Sequence, residues 1–171
     1  MNAQKILAVV TTLLILSSCG GSRVNPSDPQ SVMGGISVEH DDFKKVTNYT
    51  GPNIGEKPDR LFIRAWKSDA TGIIDYQIYV MDSYFYGWRF YDSAYDSNGN
   101  RLNTTLISRD FYYDFAKIGI YEETLGLDVT KEYLEKNQES GIRFQISGKA
   151  GKKEVFSIPP TYIKAFLSVA K

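Results

Sequence analysis

Ile142-Arg143-Phe144-Gln145-Ile146, then Gly148-Lys149-Ala150-Gly151, then Val155-Phe156-Ser157-Ile158, is the stretch that decides the fold. Ile142, Phe144 and Ile146 alternate with Arg143 and Gln145, the period of two of a strand with one buried face. A glycine-bounded turn follows, and a second β-rich run returns, so the stretch reads as an antiparallel β-hairpin. Pro159 and Pro160 end it. From Pro160 or Thr161 the spacing changes: Tyr162, Ile163, Phe166, Leu167 and Ala170 fall along one stripe at helical period, which predicts a closing helix docked on the sheet.

The same pattern extends upstream. Leu61, Ile63 and Ala65 alternate with Phe62, Arg64 and Trp66, and Ser68 to Gly72 turns. Ile74, Tyr76, Ile78 and Val80 then alternate with Asp75, Gln77 and Tyr79, and Gly87 to Tyr91 is expected to continue as a neighbouring strand. Asp96-Ser97-Asn98-Gly99-Asn100 contains the Asn-Gly pair of a tight hairpin leading to Arg101–Arg109. Lys117 to Glu122 reads as a further strand, and Asp128 or Thr130 as the cap of a short helix through Lys136. Phe43 to Tyr49 is the earliest run, separated from the rest by Pro52 to Asp59. About eight short strands result, mostly antiparallel because short turns join them. The expected class is mainly β: an antiparallel β-sandwich or curved sheet with one or two C-terminal helices, forming a single β-rich domain over 36–171.

The amino terminus follows a different grammar. Lys5 precedes an apolar run from Ile6 to Leu16, and Leu16-Ser17-Ser18-Cys19-Gly20 comes next. This resembles a bacterial lipoprotein signal peptide with its lipobox at Leu16 to Cys19. The resemblance implies a signal peptide over 1–18, cleavage before Cys19, and lipidation of the Cys19 thiol, which would make the membrane a partner through the attached acyl chains. The apolar run falls short of the ~20 residues that span a bilayer. In the enterobacterial pattern an aspartate after the cysteine retains the protein at the inner membrane. Gly20 stands there instead, so the resemblance implies the outer membrane of the cell envelope, with the domain facing the periplasm. Residues 19–35 are rich in Gly, Ser, Pro, Asn and Asp and read as a lipidated flexible tether.

Loss of residues 1–18 would remove one basic side chain, leaving 19 basic against 20 acidic residues and a formal charge of −1. Nucleic-acid binders concentrate positive charge against phosphates, and this balance argues for no nucleic-acid partner. The one cysteine is assigned to lipid, so no thiol remains for a disulfide, a metal or a nucleophile. His40 is the one histidine, within Glu39-His40-Asp41-Asp42, and no Gly-x-Ser-x-Gly elbow accompanies it, so a hydrolase triad is not expected. That cluster specifies no metal geometry and reads as a solvated edge. Ser168-x-x-Lys171 ends on the last residue, where a lysine cannot be held buried, and reads as chance. Asp96, Asn98 and Gly99 match part of a calcium loop, but Ala94 and Thr105 stand where ligands belong, so a plain turn is expected. No catalytic residue, metal or cofactor is assigned.

Aromatic density is the unusual feature, with 12 Tyr and 9 Phe. It concentrates in Tyr84-Phe85-Tyr86-Gly87-Trp88-Arg89-Phe90-Tyr91 and Phe111-Tyr112-Tyr113-Asp114-Phe115. On a strand, Tyr84, Tyr86, Trp88 and Phe90 share one face, while Phe85, Arg89 and Tyr91 share the other and are the expected ligand-binding residues. The competing reading buries both faces. Three functions follow. The leading one is a lipid-anchored, non-catalytic envelope protein whose domain binds a partner protein or an envelope ligand. A second is glycan binding on the aromatic face, and a third is a hydrolase using paired carboxylates from Asp75, Asp82, Asp92, Asp110, Asp114 or Glu122. Lys149, Lys152 and Lys153 read as a solvated turn.

Overall fold

A computed structural model describes residues 24–171. The expected signal peptide over 1–18 and the expected lipidation site Cys19 lie outside the described residues. The elements run α1 (Pro29–Gly34), β1 (Ser37–Asp41), β2 (Val46–Thr50), β3 (Arg60–Ser68), β4 (Ile74–Tyr84), β5 (Tyr91–Asp96), β6 (Arg101–Tyr113), β7 (Gly119–Val129), α2 (Lys131–Asn137), β8 (Ile142–Gly148), β9 (Lys153–Ile158) and α3 (Pro160–Val169). All nine strands pair antiparallel in one open sheet, ordered β1-β2-β3-β4-β7-β6-β5-β8-β9. The expected class is thus observed in its curved-sheet form. Curvature brings β9 back towards β3 and β4: Val155 and Phe156 share a cleft with Leu61 and Asp82, although the strands are far apart in sheet order.

The concave face holds the core. Ile63 stands opposite Ile78, and Ile78 opposite Leu127; one row on, Leu61 stands opposite Val80, and Val80 opposite Leu125. All six are buried. Alternation places them on one side because successive strand residues point to opposite faces. α3 covers that side with the stripe its spacing predicts: Tyr162, Ile163 and Phe166 are fully buried, each side chain contributing about 1.5–3 kcal/mol. Its polar atoms find partners. The Tyr162 hydroxyl donates to the Pro52 carbonyl at 2.9 Å and accepts the Ile63 N–H at 3.4 Å, and the Tyr76 hydroxyl donates to the Ala170 carbonyl at 3.2 Å. α1 and α2 pack on α3. Thr130 caps α2, its hydroxyl accepting the Tyr133 N–H at 3.1 Å, as one of the two expected caps.

Three expectations change. Within the 19–35 segment read as a flexible tether, Pro29–Gly34 forms a helix. Asp28 accepts the Gln30 N–H as a helix cap, Pro29 opens α1, and Val32 is fully buried, so a composition resembling a linker conceals helix-start signals. The run from Phe43 begins later as a strand: Phe43 lies in the β1–β2 turn, fully exposed. Gly87 to Tyr91 is no neighbour of β4. Tyr86 (φ 70°), Gly87 (φ 92°) and Phe90 (φ 54°) leave extended geometry, and the chain re-enters the sheet only at β5, beside β6 and β8.

Candidate functional site

Beyond Val80 and Leu125, the next row on the concave face changes from apolar to ionic. Asp82 stands opposite Glu123, and Glu123 opposite Arg109; the following row is Tyr84, Tyr121 and Phe111. Asp82 and Glu123 are 5% and 1% exposed. Buried charge is costly unless paired and hydrogen-bonded, and both requirements are met here. Glu123 Oε1 accepts Arg109 Nε–H at 2.6 Å and the Tyr91 N–H at 3.2 Å, while its Oε2 accepts the Tyr84 hydroxyl. Asp82 Oδ2 accepts the Tyr91 hydroxyl at 2.6 Å and Arg89 Nη1–H at 2.8 Å. Arg89 Nη1 also reaches Glu154 of β9 at 2.8 Å, and its guanidinium lies 4.1 Å from the Tyr84 ring centroid.

The electrostatics follow from this packing. Burial pushes Asp82 up to about 6, against the opposing pulls of Tyr91 and Arg89. Burial also raises Asp59, whose carboxylate accepts the Ser83 N–H at 2.9 Å. The Tyr84 and Tyr91 hydroxyls are raised by burial and by the carboxylates they donate to. For Arg89, burial opposes the charge, but Tyr91, Asp82 and Glu154 outweigh it and raise the pKa. Asp59, Asp82 and Glu154 border a cleft of about 260 Å³, below the usual range of ~300–1,000 Å³ for small-molecule sites. Arg89 engages Asp82 and Glu154, and Arg109 engages Glu123. The arrangement braces β4, β6, β7 and β9 together.

Phe85, Arg89 and Tyr91 do not share a strand face, because the backbone from Phe85 to Phe90 is a loop. Arg89 and Tyr91 meet at Asp82, with Tyr91 buried, whereas Phe85 stands apart, half exposed and edge-on to Tyr86. Of the six carboxylates considered, Asp82 alone joins this cluster. Asp75, Asp92 and Asp110 are exposed, Asp114 accepts the Ile118 N–H at 2.7 Å, and Glu122 accepts the Ser83 hydroxyl. Sequence reasoning missed Glu123, Arg109 and Glu154; a charged residue interrupting an apolar row, as Glu123 does before Leu125 and Leu127, was the available signal. His40 is exposed between Asp42 and Asp69, 3.3 Å and 3.6 Å away. Among the described residues no group of three or more His, Cys, Asp or Glu could hold a metal ion. Asp96 Oδ1 accepts the Asn98 and Asn100 N–H groups, as a turn aspartate does. The Ser168 hydroxyl donates to the Ala165 carbonyl, and Lys149, Lys152 and Lys153 are exposed.

A second feature is an open edge. β5 pairs with β6 only at Ala94–Leu102 and Tyr95–Arg101, then turns to β8. From Asn103 to Tyr113 the side of β6 away from β7 has no strand partner among the described residues. Leu106, Ile107, Phe111, Tyr112 and Tyr113 are all exposed along it, and Phe115 and Ile118 at the adjoining tip likewise. Tyr84 opposite Tyr121 puts the β4–β5 loop at the same end, where Trp88 lies 5.0 Å from Tyr121 and Tyr86 is fully exposed. The aromatic density of the sequence is therefore divided between core, brace and this exposed end. No family model matches the chain, and no match was found among curated proteins or solved structures.

Proposed function

We propose that this protein is a lipid-anchored protein of the bacterial envelope, held at the outer membrane through Cys19, whose β-rich domain works by binding a partner protein in the periplasm rather than by catalysis. The observation that carries this reading is the edge of β6, which has no strand partner among the described residues, together with the exposed aromatic end beside it. A long edge with free N–H and C=O groups is a template for another strand, and folded proteins usually cover or charge such edges. Here it is flanked on both faces by large apolar side chains, of the kind that dominate protein interfaces. Main-chain pairing would supply affinity, and pockets between the aromatic side chains would supply choice of partner. Tyr86 and Phe90, bulky residues at positive φ, hold the neighbouring loop in a strained shape, and strain of this kind clusters at functional segments. The anchor rests on the Leu16-Ser17-Ser18-Cys19 motif.

The test is crosslinking and pull-down of the native protein from intact envelopes, beside Cys19→Ala and a Tyr113→Ser/Phe115→Ser form. A discrete protein recovered with the native chain and lost with both variants supports the reading. Equal recovery with the Tyr113→Ser/Phe115→Ser form removes the edge from it, equal recovery with Cys19→Ala removes the anchor, and recovery of no specific protein overturns it.

A further inference from the structure

The convex face of the sheet, turned away from the helices, carries a polar ladder across four strands. Arg64 of β3 donates from Nε and Nη2 to Gln77 Oε1 of β4 at 3.0 Å and 2.5 Å; Gln77 Nε2 donates to Asp128 Oδ1 of β7 at 2.6 Å; and Asn103 Nδ2 of β6 donates to Asp128 Oδ2 at 2.7 Å. Gln77 stands opposite Asp128, and its carboxamide lies over the neighbouring Gly126, where any Cβ would overlap it, so the ladder depends on a glycine at that position. Trp66 occupies the next row, opposite Asp75, with the Arg64 guanidinium 5.0 Å from its ring centroid. Trp66, Asp75, Asn103 and Asp128 line a groove of about 560 Å³, floored by β4 and β7 at Tyr76 and Val129. That volume lies within the usual range for small-molecule sites.

From this geometry we infer that the groove is a binding site for a neutral saccharide. A pyranose presents an apolar C–H face, which suits an indole, and a rim of hydroxyls that both donate and accept. An ionised carboxylate has about four acceptor positions. The ladder occupies one on each Asp128 oxygen; the Asn103 amide oxygen and the Asp75 carboxylate have no hydrogen-bond partner among the described residues. Asn103 and Asp128 are directly opposed on β6 and β7, with Cβ atoms about 4.5–5.5 Å apart, and Asp75 of β4 is the diagonal neighbour of Asp128 at about 7–8 Å, within the span of one or two sugar rings. A cationic ligand fits less well, because the Arg64 guanidinium already lies over the same indole and would repel it. An anion would meet Asp75 and Asp128. An uncharged polyol satisfies both restrictions. The inference does not rest on the partner reading above, since it uses the groove between Trp66 and Asp128 and not the exposed aromatic end.

The full chain labelled with 5-fluorotryptophan gives two fluorine resonances, Trp66 and Trp88, assigned by a Trp88→Phe form. In a detergent without a sugar headgroup it is titrated with a β-1,4-linked N-acetylglucosamine tetramer, cellotetraose and maltotetraose, and separately with spermidine. The expected result is a saturable shift of the Trp66 resonance by at least one saccharide with Trp88 unmoved, and affinity about tenfold weaker in Asp128→Asn, which removes a charged acceptor. An unmoved Trp88 resonance in Asp128→Asn shows that the variant keeps its fold. The inference is overturned if no saccharide moves Trp66, if Trp88 moves instead, if spermidine alone moves Trp66, or if Asp128→Asn binds as tightly as the native chain.

Discussion

Ile78 and Asp82 lie four residues apart on the same strand and the same face, and both are buried, but by opposite means. Around Ile78 the concave face is closed by Leu127, Ile63 and the aromatic stripe of α3, with dispersion and water exclusion supplying the stability. Around Asp82 burial is maintained by Arg89, Tyr91 and Glu154, with Glu123 and Arg109 completing the row. One half of the sheet is packed, while the other is braced by charge and ends in exposed aromatics. A packed half resists change through volume. The braced half depends on the presence of every partner, since a buried charge without its counterion costs several kcal/mol.

The largest expected effect is in the packed half. Phe166→Ala removes a fully buried ring from beneath the sheet and should cost about 3–5 kcal/mol in chemical denaturation; a cost below about 1 kcal/mol would mean that α3 is not part of the cooperative core. Next comes Arg89→Ala, which strands Asp82 and Glu154 and should cost about 3 kcal/mol, with loss reduced at acid pH where Asp82 is neutral. Loss equal at pH 5 and pH 7 would show that the brace is not electrostatic.

pH sharpens the contrast further. Asp82 titrates at about 6 in the folded chain, above its ordinary value near 3.8, so the folded state holds a proton the unfolded state has released. Stability is therefore greatest with Asp82 protonated and declines as pH rises from about 4 through 6, a difference of about 2 kcal/mol in all. Asp59, also raised, acts in the same direction. Across this window the native chain should lose stability relative to Asp82→Asn as pH rises, the two midpoint curves converging towards acid pH; parallel curves would remove Asp82 from the pH dependence. The smallest effect belongs to the exposed end. Phe115→Ser should alter stability by less than about 0.5 kcal/mol, because the side chain touches little, and a larger loss in a thermal melt would place that tip within the core.

Much of the packed half was legible in advance. The 142–158 hairpin, the helix stripe from Tyr162 to Ala170, the alternation from Leu61 to Val80 and the Thr130 cap all rest on signals within a few residues of one another. The site was not legible in the same way. Tyr84 to Tyr91 reads as one continuous aromatic run, and nothing local marks the positive φ at Tyr86 and Phe90 that ends the strand and sends β5 to the far side of β6. Asp28 and Pro29 do carry helix-start signals, but in a segment whose composition points to a linker.

Local patterning set which residues face inward, because alternation and helical period are properties of neighbours in the chain. It also carried the Leu16-Ser17-Ser18-Cys19 motif on which the proposed anchor rests, which is read without reference to the fold. Which charges meet was chosen by folding. Asp82, Arg89, Arg109, Glu123 and Glu154 come from four strands and a loop, and register between strands distant in sequence, together with the curvature that returns β9 to β4, is what brings them within hydrogen-bond reach. Pairing energies of this kind depend on three-dimensional distance and desolvation, quantities that exist only once the sheet has closed around its core.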